Sequence, residues 1–411
     1  MFSRFLHAAR IYRDHFVQFT AEVIYDRAES TPATRFYAAV LKGFSLFFGA
    51  GVSIRTFLYE HKLLMSDTPL GCKVVVIGNI TVGGTGKTPI AEKMARVLSE
   101  RGRKVVILSR GYKSRSESPW HKFKRWCAHT DTPVPRVVSD GKTLLLDSDE
   151  AGDEPYMLAR NLCPLGVVVI VHRNRVEAGA YALKKFGCDT ILLDDGLQYL
   201  ALRGQINLLL IDKKNPFGNG SLLPRGILRE PIANLRRGTY IFLTKSDGTA
   251  NPELMALIKK NNPGVGVIEC AHRPRVLSTL DTLAMLPLEH LRGKRVATFS
   301  GIATPESFEE MVRTHGAHVL YNKRFLDHHR FSEEELVDVF DEAAESDAEL
   351  VVTTEKDAVR MDPSRKWRLP VYFLRMEIEI LSGKDVFNAA VARICEGMAA
   401  PAQAAPPETE K

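Results

Sequence analysis

No part of this chain constrains its fold more than Val74–Thr88, VVVIGNITVGGTGKT. The β-branched run Val74 to Ile77 reads as a buried parallel strand. It runs into Gly83-Gly84-Thr85-Gly86 and closes on Lys87-Thr88. A helix pattern follows, with Ile90, Met94, Val97 and Leu98 on one face and Gly102 just past its end. Strand, glycine turn, Lys-Thr and helix together make a phosphate cradle. Glycines let backbone N–H groups turn onto phosphate oxygens, the helix N-terminus adds partial positive charge, the ammonium reaches the outer phosphates, and the threonine hydroxyl can bind Mg²⁺. The nucleotide-binding residues expected are Thr81, Val82, Gly83, Gly84, Thr85, Gly86, Lys87 and Thr88. Thr81 stands where G-x-x-x-x-G-K-[ST] has its first glycine, and Gly83 and Gly84 supply the flexibility one turn later. The competing reading is a glycine-rich turn in an ordinary βα unit.

The rest of the chain keeps the same rhythm. Val105–Leu108, Val167–Val171, Thr190–Leu193, Asn207–Ile211 and Tyr240–Leu243 are short apolar strands separated by helix patterns or loops. This predicts an α/β fold: a P-loop NTPase-type, doubly wound, mainly parallel sheet with ligands at the strands' carboxyl ends. From about 292 a second, smaller α/β domain is expected. Its strands are Arg295–Ser300 and Leu350–Thr353, and its helices are opened by Thr304-Pro305, by the capping box Ser332–Glu335 and by Thr354. The predicted blocks are an N-terminal helical membrane-associating segment at 1–60, a P-loop kinase core at 61–265, a connecting segment at 266–291, the smaller domain at 292–397 and a disordered tail at 398–411.

In the first block, the residues between Lys42 and Arg55 carry no charge and include Phe44, Leu46, Phe47, Phe48, Val52 and Ile54. Roughly 20 apolar residues are needed to span a bilayer, so this stretch is read as too short to span but suited to the headgroup region. A core-packed helix is the alternative. No secretory signal pattern is read in the first thirty residues. Net charge is +7, which suits phosphorylated substrates or an anionic membrane surface. The charge is spread along the chain, so nucleic acid is not indicated. Six cysteines without a C-x-x-C fit reduced thiols rather than a zinc ribbon. The basic, aromatic stretch SRSESPWHKFKRW from Ser114 reads as a solvated loop or as a surface for lipid headgroups or a phosphorylated substrate.

Several residues carry chemistry. Thr190–Asp195 is an apolar strand ending in two carboxylates, Asp194 and Asp195, placed as a P-loop protein places acids near Mg²⁺. A plain DDG turn is the alternative. Asp153 in GDEP reads by itself as a helix cap. Asp327-His328-His329 reads by itself as a surface loop or an incidental metal site, although Asp–His pairing also tunes an imidazole for proton work. Arg225, Arg229 and Glu230 lie in a Gly- and Pro-marked loop after a strand. Thr244-Lys245-Ser246-Asp247 is similar to the T-K-x-D with which GTPases read guanine.

Eight motifs in order, GNITVGGTGKTP, SRGY, EAGDEP, LLDDGLQ, FGNGSLLPRGILREP, FSGIATPESF, FLDHHRF and TTEKDAVR, resemble the tetraacyldisaccharide 4'-kinase (lipid A 4'-kinase) family from about Leu41 to about Met361. The resemblance implies transfer of the ATP γ-phosphoryl group to the 4'-hydroxyl of tetraacyldisaccharide 1-phosphate, giving lipid IVA. It implies a peripheral enzyme on the cytoplasmic face of the bacterial inner membrane, using ATP and Mg²⁺, with no obligate protein partner. By motif, Lys87 and Thr88 fall on phosphate and Mg²⁺ contacts, and Asp194, Asp195 and Glu230 on acids at the metal. Asp153 and His328 fall on the pair that activates the hydroxyl. This chain departs from the family in about 35 extra N-terminal residues, in Lys113 after SRGY, in Tyr199 after DDGLQ and in Arg225 for a usual alanine. The other readings kept are a P-loop GTPase or ATPase switch at a membrane surface and a nucleotide-gated membrane-docking module.

Overall fold

The computed structural model describes residues 15–61, 63, 69–111, 134–302, 304–326 and 329–396. The basic insert after Ser114, the tail, and Asp327 and His328 lie outside the described residues. In chain order the strands are β1 (Lys73–Gly78), β2 (Val105–Ser109), β3 (Arg136–Asp140), β4 (Val168–Val171), β5 (Thr190–Asp194), β6 (Ile206–Asp212) and β7 (Tyr240–Thr244). They continue as β8 (Gly266–Thr279), β9 (Met285–Leu286), β10 (Arg295–Ser300), β11 (His318–Arg324), β12 (Leu350–Thr354) and β13 (Val371–Ser382). Each apolar run expected to be a strand is one. The stretch 266–291, expected as a connection, is largely strand, because Val267, Ile268 and Leu277 have partners to pair and pack with.

The chain forms two compact units that interleave along the sequence, whereas the predicted blocks run end to end. The first takes residues Met1–Lys87, Leu192–Ala271 and Ile380–Ile394, and the second Thr88–Ile191, His272–Glu379 and Cys395–Lys411.

In the first unit β1, β6, β7 and β8 pair in parallel, with Val75 opposite Ile206, Leu209 opposite Ile241 and Ile241 opposite Val267. Val75, Ile77, Leu209 and Ile241 are fully buried, as expected for strands covered on both faces. Parallel pairing brings the loops after β1, β6 and β7 out at one edge. The long helix Pro32–Glu60 belongs here and is longer than the uncharged stretch suggested. Among the described residues it alone is long and apolar enough to cross a membrane, by length and composition only, which corrects the reading that nothing here could. The two cations that seemed to bound it lie inside it. Lys42 Nζ donates to Ser221 Oγ at 3.2 Å, and Arg55 Nη2 donates to the Gln198 carbonyl at 2.8 Å. Nor is it core-packed: Phe36, Leu46 and Phe47 are 73%, 68% and 79% exposed. Only Leu41 and Ser45 are buried within it. Gly49 lies close to the loop, since a Cβ there would stand 2.7 Å from Leu222 Cδ1 and the leucine end would have to shift.

A shorter helix at 15–24 precedes it, with Phe16 and Phe19 packed on Tyr37. Its C-terminal end is clasped by the loop before Glu230. Arg225 Nη1 donates to the Val23 carbonyl at 3.0 Å, its Nη2 pairs with Asp26 at 2.5 Å, and Asn219 Nδ2 donates to the Ile24 carbonyl at 2.9 Å. Orphan carbonyls at a helix end need such donors. The helix at 15–24 and Arg225 thus form one feature. Arg225→Ala is expected to destabilise the chain by about 1–3 kcal/mol, mostly through the charged hydrogen bond to Val23, since the Asp26 pair is half-exposed. Limited proteolysis should then cut earlier near residues 15–31. Unchanged cleavage would show that the clasp is idle.

In the second unit β2 and β4 run parallel, with β3 antiparallel along the other side of β4. The C-terminal part orders β11, β10, β12 and β13, all parallel. Period-two alternation builds a core on each face of these strands. Ala297, Phe299, Val351 and Phe373 pack with Leu336, Val339 and Phe340. Val296, Leu350, Val352 and Leu374 pack with Leu291, Phe308 and Val312. The Ser332 capping box forms with Glu335, and Thr354 caps its short helix through the Asp357 N–H.

Candidate active site

The glycine turn sits at the carboxyl end of β1 with φ of 101° at Gly83 and 81° at Gly86, values that suit glycine alone. The turn is fixed from two sides. On one, the Val82 N–H donates to the Ile227 carbonyl at 2.7 Å, the Arg229 N–H donates to the Ile80 carbonyl at 2.7 Å, and Thr81 bridges Leu228. On the other, Thr244 Oγ1 at the end of β7 donates to the Thr85 carbonyl at 2.8 Å. Thr81 therefore serves as a pairing residue where the motif has glycine. Thr85 Oγ1 is buried and makes no hydrogen bond. A buried hydroxyl without a partner is costly, and in the middle of an N–H-lined turn it fits a ligand with acceptor oxygens.

Lys87 opens the helix Lys87–Glu100, with its side chain mostly buried. Its Nζ lies 3.4 Å from Asn79 Oδ1 and 3.7 Å from Asp195 Oδ1. Asp195 has a positive φ of 51° and also accepts from Arg229 Nη1 at 3.1 and 3.2 Å. Thr88, Asp194 and Asp195 offer hard oxygen donors of the kind Mg²⁺ takes. Among the described residues no three His, Cys, Asp or Glu side chains gather into a metal cluster. That donor set fits Mg²⁺, which keeps several waters and shares substrate phosphates rather than filling an all-protein cage.

Glu230 is placed differently from Asp195. It is buried, and both of its oxygens are engaged: Oε1 accepts from Gln198 Nε2 at 3.0 Å, and Oε2 from Asn234 Nδ2 at 2.7 Å and Arg237 Nη1 at 2.6 Å. In this arrangement Glu230 anchors the loop. Gln198 also donates to the Asn79 carbonyl at 2.9 Å and accepts from Arg229 at 3.2 Å, so it ties the glycine turn, Glu230 and the Asp195 pair together.

Asp153 lies in the second unit, at the first position of the helix Asp153–Leu162. It is not the cap, since Gly152 holds that place. Its carboxylate, buried at a helix N-terminus where negative charge is favoured, is gripped by two guanidiniums. Arg360 Nε and Nη2 donate to Oδ2 at 3.1 and 2.8 Å, and Arg330 Nη2 pairs with Oδ1 at 3.0 Å. Arg360 Nη1 donates to the His329 carbonyl at 3.1 Å and to Asp357 Oδ1 at 2.8 Å. Burial pushes the Asp357 carboxyl above its usual range, opposed by the Thr354 hydroxyl, the Gly301 N–H and Arg360. His328 lies outside the described residues, but its neighbour His329 is held by stacking on Phe325 and by Glu335 at 2.9 Å. Asp153 and the segment around His329 thus belong to one unit.

In the T-K-x-D segment the aspartate is engaged locally through one of its oxygens. Asp247 Oδ1 accepts from the Thr249 hydroxyl at 2.7 Å and N–H at 3.0 Å, and these hold its carboxyl down at about 2. Lys245 pairs with Asp212 at 2.7 Å.

Residues 37–396 match the family model described as Tetraacyldisaccharide-1-P 4'-kinase. The chain belongs to the tetraacyldisaccharide 4'-kinase family. A tetraacyldisaccharide 4'-kinase of Anaeromyxobacter dehalogenans (strain 2CP-C) is 42% identical over 351 residues, 84% of this chain and 87% of that one. That of Syntrophus aciditrophicus (strain SB) is 34% identical over 373 residues, 88% and 94% of the two chains. Among solved structures, LpxK from Aquifex aeolicus, crystallised in complex with ATP, is similar with a TM-score of 0.68 and 27% identity, covering 87% of this chain and 99% of that one. The clasped helix at 15–24 lies upstream of the part that matches the 4'-kinase family. Sequence reasoning missed Asn79, Gln198, Thr244 and Arg360 as site residues. Each stands in or beside a family motif or a strand end that was read, but their partners are far away in sequence.

Proposed function

We propose that this chain transfers the γ-phosphoryl group of ATP to the 4'-hydroxyl of tetraacyldisaccharide 1-phosphate, giving lipid IVA, at the cytoplasmic face of the inner membrane. Within a family of that activity, the observation that carries the reading is the glycine turn. It is braced on both sides and holds an orphaned Thr85 hydroxyl beside Lys87. The γ-phosphate would lie against Gly83–Thr88, with Lys87 drawn from Asp195 to the β- and γ-oxygens. Thr88, Asp194 and Asp195 would hold Mg²⁺, with Glu230 joining only by exchanging its present partners. The ion's contribution when bound is to neutralise phosphate charge.

Asp153, assisted by His328, takes the proton of the 4'-hydroxyl as that oxygen bonds the γ-phosphorus. The bond to the β–γ bridging oxygen breaks, and its electron pair leaves on ADP. A sugar hydroxyl is a weak nucleophile, so positioning and charge neutralisation supply most of the acceleration. The exposed apolar side of Pro32–Glu60 suits a bilayer, where a four-chained substrate resides. The blocks at 61–265 and 292–397 are the proposed nucleotide-binding and smaller domains. Neither nucleic acid nor a protein partner enters the scheme.

The test is incubation with γ-labelled ATP and a tetraacylated disaccharide monophosphate in mixed micelles. Label in the lipid fraction is expected. Label released only as inorganic phosphate, or a preference for GTP, would favour a switch protein. ATP-dependent vesicle binding without lipid labelling would favour a docking module.

A further inference from the structure

Arg360 grips both the Asp153 carboxylate and the carbonyl of His329, the residue after His328. It is fully buried, and all three of its nitrogens are committed. Nε and Nη2 share Asp153 Oδ2, while Nη1 divides between Asp357 Oδ1 and the His329 carbonyl. Asp357 is itself fixed, accepting from Thr354 Oγ1 at 2.6 Å and from the Gly301 N–H at 3.0 Å. The guanidinium therefore has one orientation, and it imposes that orientation on Asp153.

The two carboxylate oxygens are consequently unlike. Oδ2 is occupied by a buried, rigid donor pair. Oδ1 faces Arg330, whose side chain is 41% exposed and is shared with Asp149 and the Ser148 carbonyl. An exposed arginine can exchange its partner for a phosphate oxygen, whereas a buried one committed to three acceptors cannot.

We propose that Arg360 is the positioning residue of the acceptor side. It holds Asp153 Oδ2 and so fixes the direction in which Oδ1, which pairs with the more exposed Arg330, meets the sugar hydroxyl. The proposal rests on reading Asp153 as the base. The proton passes from the 4'-hydroxyl to Oδ1 as the sugar oxygen bonds phosphorus. It returns to solvent after ADP and product leave.

The test is a double-mutant cycle on the full-length chain, with Tm and ATP affinity measured on every variant. Arg360→Lys keeps the charge but loses the fork. It is expected to fold and bind ATP normally while kcat falls about 10²-fold, the scale of a misplaced catalytic group. KM for ATP should stay within about threefold, since a positioning defect moves the chemical step and not uniform binding. In an Asp153→Ala background the same change should cost nothing further. Guanidinium chloride at low millimolar concentration should restore part of the kcat of Arg360→Ala but none of the double variant.

If Arg360→Lys multiplies the loss already caused by Asp153→Ala, Arg360 acts elsewhere and the proposal is overturned while the base stands. Turnover of Arg360→Lys within about threefold of the parent also overturns it. If Asp153→Ala alone turns over normally, the base itself is misassigned, and the positioning role falls with it.

Discussion

Lys87→Ala is expected to cut phosphoryl transfer about 10³-fold, the scale of losing one donor aimed at developing transition-state charge. The fold should survive. Among the described residues the ammonium touches only Asn79 and Asp195, and Asp195 keeps two contacts to Arg229 when Lys87 is gone. The loss therefore belongs to chemistry rather than to packing. Lys87→Arg should recover little, because a planar fork does not fit where a point charge is needed among curved backbone N–H groups. Label transfer to lipid, read beside thermal melting, decides it. A Lys87→Ala protein within about tenfold of the parent would mean that the triphosphate is gripped elsewhere.

Asp153→Asn should be nearly as damaging, with kcat down by about 10²–10⁴, the usual contribution of a positioned base. The amide can still accept from Arg360 at the place of Oδ2, and Arg360 keeps Asp357, so no guanidinium is left buried without an anion. Melting should move by only a few degrees. ATP affinity should hold, because Asp153 makes none of the contacts that shape the glycine turn. If instead ATP binding and turnover fell together, Asp153 would be a structural strut rather than a base.

What could be read in the sequence was whatever is encoded locally. The run Val74 to Ile77 gave a strand because four β-branched residues in a row suit a sheet covered on both faces. Gly83 and Gly86 announced a turn needing left-handed backbone, and both have it. Ser332–Glu335 capped its helix by contacts three residues long.

What could not be read depended on distant partners. Asp153 looked like a cap because Arg360, 207 residues away, was invisible as its partner. Glu230 was placed at the metal by the family resemblance alone, and its tie to Gln198, 32 residues away, had no local sign. The helix Pro32–Glu60 looked shorter than it is because Lys42 and Arg55 read as solvent-seeking ends. In the fold they donate to Ser221 and to the Gln198 carbonyl, so the helix continues through both. Its family was legible because motif order carries that tertiary information in compressed form.

The grip of Arg225 on Val23 and Asp26 bears on whether the leading helix can be moved to another chain. Without the arginine the helix at 15–24 keeps the Asn219 amide on the Ile24 carbonyl but loses the charged donor on the Val23 carbonyl. Anyone grafting the leading helix onto a shorter relative would have to transplant the arginine as well.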